Sequence, residues 1–187
     1  MINYFKTASF AISIGFLGFI SSCQNSDKYK IEIRQLDSLS SIIDTANTNF
    51  SKIDTSVLRK KIISINFNAE YFEKNNRDSI SEETTKLLAE YGKMKFPFVE
   101  IIKEYAEVKN EVEECQEQLN HLIHDLKNET VKPENAANYI QIESIAAADC
   151  FRKLDYFAQM NKYYLVRFAY CNPKMEQLVQ TLRDNKK

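Results

Sequence analysis

Residues 80–126 read ISEETTKLLAEYGKMKFPFVEIIKEYAEVKNEVEECQEQLNHLIHDL. Within them Ile80, Thr84, Leu87, Tyr91, Met94, Phe98, Ile101, Tyr105, Val108, Val112, Cys115, Leu119, Leu122 and Leu126 follow one another in alternating steps of four and three, and only Thr84 is polar. That spacing is the stripe of one helix face. Sustained over so many turns, it is the pattern of a coiled-coil seam rather than of a compact globule. At the rise of an α-helix the segment is about 70 Å long. Asp78 or Ser81 can cap its start, and Glu82 and Glu83 suit the positive end of the helix dipole. Pro97 lies inside the run, yet the phase passes through it, so a kink near Glu90–Lys95 is expected rather than a break.

A second stripe has the same spacing: Ile140, Glu143, Ala147, Cys150, Leu154, Phe157, Asn161, Tyr164, Phe168, Cys171, Met175, Leu178 and Leu182. Glu143 and Asn161 are its polar members. Asn161 either fixes the register of the seam or faces a wet gap. The stretch between the stripes, Lys127 to Pro133, reads as a turn, with Pro133 in the first turn of the next helix. Asn172-Pro173 predicts a kink or short break near the end of that helix.

The N-terminal third is less regular. Leu36, Leu39, Ile43, Ala46, Phe50 and Ile53 form one stripe, and Leu58, Ile62, Ile65, Ala69 and Phe72 another, with a phase slip over 51–56. This predicts either two helices, about 28–53 and 55–75, with Asp54 as an N-cap, or one long helix with a stutter. The expected fold is therefore all-α: an elongated, antiparallel, coiled-coil-like helical bundle of three rod-length segments, 28–75, 78–128 and 133–185, joined by short loops.

Composition supports this and excludes several classes. The chain of 187 residues is 44% hydrophobic and 27% charged, which suits a folded chain rather than a disordered one. Only three glycines are present, and Gly15 and Gly18 lie in the N-terminal apolar stretch. Gly-rich phosphate loops, dinucleotide-binding turns and tight hairpins thus have no support. A net charge of −1 gives no bulk attraction to nucleic acid.

Residues 1–23 read MINYFKTASFAISIGFLGFISSC. Lys6 precedes a mostly apolar run, Ala8 to Ile20, that is shorter than the roughly 20 residues a bilayer span needs. It has the length of a signal-peptide core. The run ends in Ile20-Ser21-Ser22-Cys23, which resembles the lipobox of bacterial lipoproteins. The resemblance covers these residues alone. It implies a signal peptide over 1–22, acylation of Cys23, which becomes the first residue, and a helical body over 23–187 held at the membrane by its acyl chains. Gln24, where an Asp would point to inner-membrane retention, implies the outer membrane of the bacterial cell envelope.

Candidate sites are few. His121 and His124 are the only histidines. With Glu117 and Asp125 they could form a metal cluster, but they fall away from the seam, and surface histidines are the simpler reading. Cys115, Cys150 and Cys171 all fall on seam positions, where a thiol behaves as a small buried apolar group. Cys150 and Cys171 are about 31 Å apart on one helix and cannot pair. Folding the chain about the 127–133 turn places Cys115 opposite Ala146, one turn from Cys150. A 115–150 disulfide and buried free thiols are both open. Tyr156, Tyr163 and Tyr170 recur every seven residues beside the seam. They form either a second seam covered by the N-terminal helices or an exposed stripe that docks a partner. Catalysis has no support, since no nucleophile–base constellation or oxyanion turn can be assembled, and no cofactor is implied. The expected role is structural or protein-interacting, with an unidentified protein or a second copy of the chain as partner. A carrier of hydrophobic ligands or clients, and metal binding through the two histidines, are the alternatives.

Overall fold

The computed structural model describes residues 28–76 and 79–185. Five helices make an all-α, elongated bundle: α1 (Lys30–Phe50), α2 (Thr55–Asn75), α3 (Glu82–Lys93), α4 (Lys95–Lys127) and α5 (Pro133–Asp184). Residues 1–22, expected as a signal peptide, Cys23, expected to be acylated, and the candidate cap Asp78 lie outside the described residues. None of the described helices is long and apolar enough to cross a membrane.

Local chemistry sets most boundaries. The phase slip at 51–56 is a true interruption: α1 ends at Phe50, and the Asp54 side chain caps α2 by accepting from the amides of Ser56 (2.8 Å) and Val57 (3.2 Å). Ser81 caps α3, accepting from the Thr84 amide at 3.1 Å. The helix therefore begins at Glu82, and Ile80, expected as the first seam residue, is exposed and outside it. The kink expected at Glu90–Lys95 is instead a helix boundary at the single residue Met94, which keeps right-handed helical angles. Pro97 then falls in the first turn of α4, where its missing N–H has no intrahelical acceptor to lose. At Asn172-Pro173 the short break does not form, and α5 continues through it as one helix.

The α4–α5 turn closes without glycine. The amides of Glu129 and Thr130 donate to the carbonyls of Leu126 (3.3 Å) and Asp125 (3.0 Å), the two bonds of a Schellman cap. The cap needs a left-handed residue, and Glu129 takes it at φ 53°. A Cβ in that region meets the carbonyl next to it.

Helix directions follow from paired side chains. Glu111 meets Lys153, Glu100 meets Tyr156 and Glu90 meets Arg167, so α3 and α4 run antiparallel to α5. Phe50 stacks on Tyr105 of α4 (centroids 4.8 Å apart) and lies edge-on to Phe157 of α5. Lys61 of α2 lies over the Phe168 ring at 4.3 Å. Helices α1 and α2 do not pack on each other; both lie on α4 and α5. From Tyr91 to Leu126 the seam residues on α3 and α4 are buried, apart from Tyr105, which is half-buried. Those of α5 are buried or half-buried throughout.

One polar knot ties α2, α3 and α5. Tyr91, fully buried, donates to Asn172 Oδ1 at 2.5 Å and accepts from Asn68 Nδ2 at 3.1 Å. Ser64 Oγ also donates to Asn172 Oδ1 at 3.1 Å. Burial pushes the Tyr91 hydroxyl above its ordinary pKa, with the bonds from Ser64 and Asn68 opposing. The phenol therefore stays protonated and keeps donating.

Two stability predictions follow from these positions. Glu129→Gly relieves the left-handed residue and should raise the unfolding free energy by about 0.5–1 kcal/mol, read as a higher urea midpoint at unchanged slope. Tyr91→Phe keeps the ring but takes away an acceptor of the buried Asn68 amide and one of the two donors to Asn172 Oδ1. It should lower stability by about 1–3 kcal/mol in the same measurement.

Candidate interaction face

Helix α5 carries three kinds of surface. Its seam residues meet α3 and α4, and the side bearing Leu165 and Asn172 closes against the core with α2. Among the described residues, no helix lies on the remaining side. Tyr156 (53% exposed), Tyr163 (47%) and Tyr170 (64%) line up there, about 10.5 Å apart along the axis. Of the two readings of these tyrosines, the covered second seam does not form: the N-terminal helices sit elsewhere on α5.

Each ring is held in place from one side. Tyr156 rests edge-on against buried Phe157 (5.2 Å), and Tyr163 against Tyr164 (5.0 Å). Arg167 reaches over the Tyr163 ring while its guanidinium donates to Glu90 Oε2 at 2.6 Å. Lys174 lies 4.0 Å from the Tyr170 ring centre and donates to its hydroxyl. These contacts fix ring positions while leaving the outer faces open. Ile142, Ile145 and Val166 extend the apolar character of the same helix surface.

Beside Tyr156 a groove of about 270 Å³ runs between α4 and α5. Its α4 wall presents Glu100, Glu104, Glu107 and Glu111, and α5 supplies Lys153 and the ring of Tyr156. Lys153 donates to both carboxylate oxygens of Glu111, which holds its ammonium above the ordinary lysine pKa. Burial, followed by the Glu100 charge, raises the Tyr156 hydroxyl. Lys103 pairs with Glu104 at 3.0 Å, so two cations against four carboxylates leave the groove negative. The acids step four, three and four along the chain, alongside the apolar seam. That spacing was visible in sequence, but it signals a shared wall only once α5 is known to lie against it.

A second groove, of about 190 Å³, shares Glu111 and Lys153 with the first and is also lined by Cys115, Ala146 and Cys150. Cys115 of α4 and Cys150 of α5 thus face the same groove from opposite helices. Burial raises both pKa values, that of Cys150 to about 12. Cys171 is a third buried free thiol, likewise raised by burial.

The histidines do not converge. His121 and His124 are both exposed, and the nearest partners of the His124 ring are Asn128 and Asp125 on its own helix. Among the described residues no group of three or more His, Cys, Asp or Glu side chains is arranged to hold a metal ion. Asn161, the seam residue singled out for register, has its Oδ1 buried without a hydrogen-bond partner, as does Oε2 of Glu143. Polar side chains that do bond across helices include Asn68, Ser64 and Asn172, which the stripe pattern passes over. Both grooves are walled by charged groups, which gives an apolar ligand no dry cavity.

No protein-family model matches the chain, and comparison with curated proteins and with solved structures likewise returns no match.

Proposed function

We propose that this chain is a lipid-anchored protein of the bacterial cell envelope, held in the outer membrane by acyl chains on Cys23. Its helical body acts without catalysis, as a spacer that docks another protein. The body packs as three coiled-coil-like rods, α1 with α2, α3 with α4, and α5. The pairs Lys153–Glu111 and Arg167–Glu90, which join α5 to α4 and to α3 beside the seam, support that packing.

The observation that carries the docking reading is the uncovered line of Tyr156, Tyr163 and Tyr170. Three rings held from one side lose little freedom when a partner covers the other, and aromatic side chains are favoured anchors of protein interfaces. The row Glu100, Glu104, Glu107 and Glu111 beside them selects a partner face carrying Lys or Arg among apolar groups. The lipobox resemblance supports the anchor: two or more acyl chains at about 0.8 kcal/mol per buried CH₂ hold a chain stably at a membrane.

Anchoring and docking are tested separately. Cys23→Ala should move the protein from the membrane fraction to the soluble fraction. Retention in membranes would sink the anchor. A photo-crosslinking residue placed at Tyr163 or Tyr170 in living cells should give a discrete adduct, either with another envelope protein or with a second copy. The same probe at His121 should give none. Equal crosslinking at both faces, or none at either, would remove the docking reading.

A further inference from the structure

We propose that Cys115 and Cys150 are a disulfide site, closing a covalent bridge across the α4–α5 seam while Cys171 stays a free thiol. The first support is placement. Both side chains are buried on facing helices and line the same groove. Cys171 lies on α5 about 31 Å from Cys150 along the axis, out of reach of either. The second is access. The shared groove leads from solvent to the pair, with Glu111 and Lys153 at its junction with the tyrosine-flanked groove. The third is compartment, and here the inference rests on the export reading above, because envelope proteins outside the cytoplasm meet oxidising dithiol catalysts.

The reaction is thiol–disulfide exchange. One of the two thiols loses its proton, and the thiolate attacks the disulfide of an envelope thiol oxidoreductase, forming a mixed disulfide and releasing one thiol of that donor. The second thiol, deprotonated in turn, attacks the mixed disulfide at the chain's own sulfur. This forms the Cys115–Cys150 bond and releases the second donor thiol. The chain gives up two electrons and two protons; the donor disulfide takes them and becomes a dithiol. Burial keeps both thiols protonated in the folded chain. Uncatalysed closure is therefore slow at neutral pH, and the donor or a higher pH sets the rate. Once formed, the bridge fixes the register of α4 on α5 directly beneath the row of glutamates.

The full chain, purified in detergent and fully reduced, is incubated with glutathione disulfide at mildly alkaline pH. It is then unfolded, alkylated, weighed intact and digested without reductant. The expected product has lost two alkylatable thiols and contains a linked 115–150 peptide pair. Cys171→Ala retains that pair, and Cys115→Ala and Cys150→Ala abolish it. Bridging a loop of about 35 residues should make the melting temperature of the wild-type chain fall by roughly 10 °C on reduction, with no such fall in Cys115→Ala. If glutathione disulfide leaves all three thiols alkylatable, or links Cys171 instead, the proposal is overturned wherever the protein resides. Protein trapped by acid from the envelope fraction should already carry the bridge, and finding it reduced there overturns the proposal as well. A chain that fractionates with the cytoplasm counts against the export reading, and the glutathione arm then decides the bridge alone.

Discussion

A helix of 52 residues, about 78 Å long, cannot hide an apolar stripe against itself. The rest of the molecule answers that constraint on α5. Helices α3 and α4 return along one side of it, and α1 and α2 fill the angle between the two. Phe50 marks where three elements meet, stacked on Tyr105 and edge-on to Phe157. Further along, Phe98 lies edge-on to both Tyr164 and Phe168. Large rings at these crossings fill the space between rods that smaller side chains would leave as voids, and such voids are costly.

The two prolines illustrate how packing decides what a local rule produces. Pro97 removes a hydrogen bond wherever it sits inside a helix. The chain avoids that loss by starting a new helix at Lys95, so the proline falls in its first turn. Pro173 has no such boundary, and α5 runs through it. The adjacent Asn172 is gripped by Tyr91 and Ser64 and itself donates to Glu176 one turn on. The polar knot thus holds the helix at the point where its own backbone bonding is weakest. It also ties down α2 and α3, whose seams are shorter than that of α4.

Residues whose role depends on near neighbours were legible in the sequence. The stripes gave the seams, Asp54 gave the start of α2, and Pro133 gave the start of α5. Features set by distant partners were not. The Met94 boundary depends on which of several turns takes up the proline. Asn68 looks like an off-stripe polar residue until Tyr91 and Asn172 are brought to it from 23 and 104 positions away. Glu129 gives no local sign of a left-handed conformation, because the usual marker there is glycine. The exposure of Tyr156, Tyr163 and Tyr170 was not legible from spacing, which allows a third rod on either side of α5. Cys115 and Cys150 were within a turn of each other by symmetry, and only the actual stagger of the helices sets both on one groove.

The uncovered side of α5 follows from the same geometry. Two neighbours laid against one rod enclose a bounded arc of its surface, and a helix of this length keeps the remainder free along most of its length. On most such helices that remainder is charged, as a solvated face should be. Here it bears an aromatic ring at every second turn over Tyr156 to Tyr170, next to carboxylates spaced to match the seam. Neither feature is needed to pack the bundle: the rings lean on core residues from outside, and of the four acids lining the groove, Glu111 is the one that pairs with Lys153. This is a surface that folding does not require, yet it keeps a regular order over tens of ångströms, and the docking role proposed above would use that order. The lipid anchor proposed above would suit such a face, since a tether would limit the position of the rod while the length of α5 sets its reach.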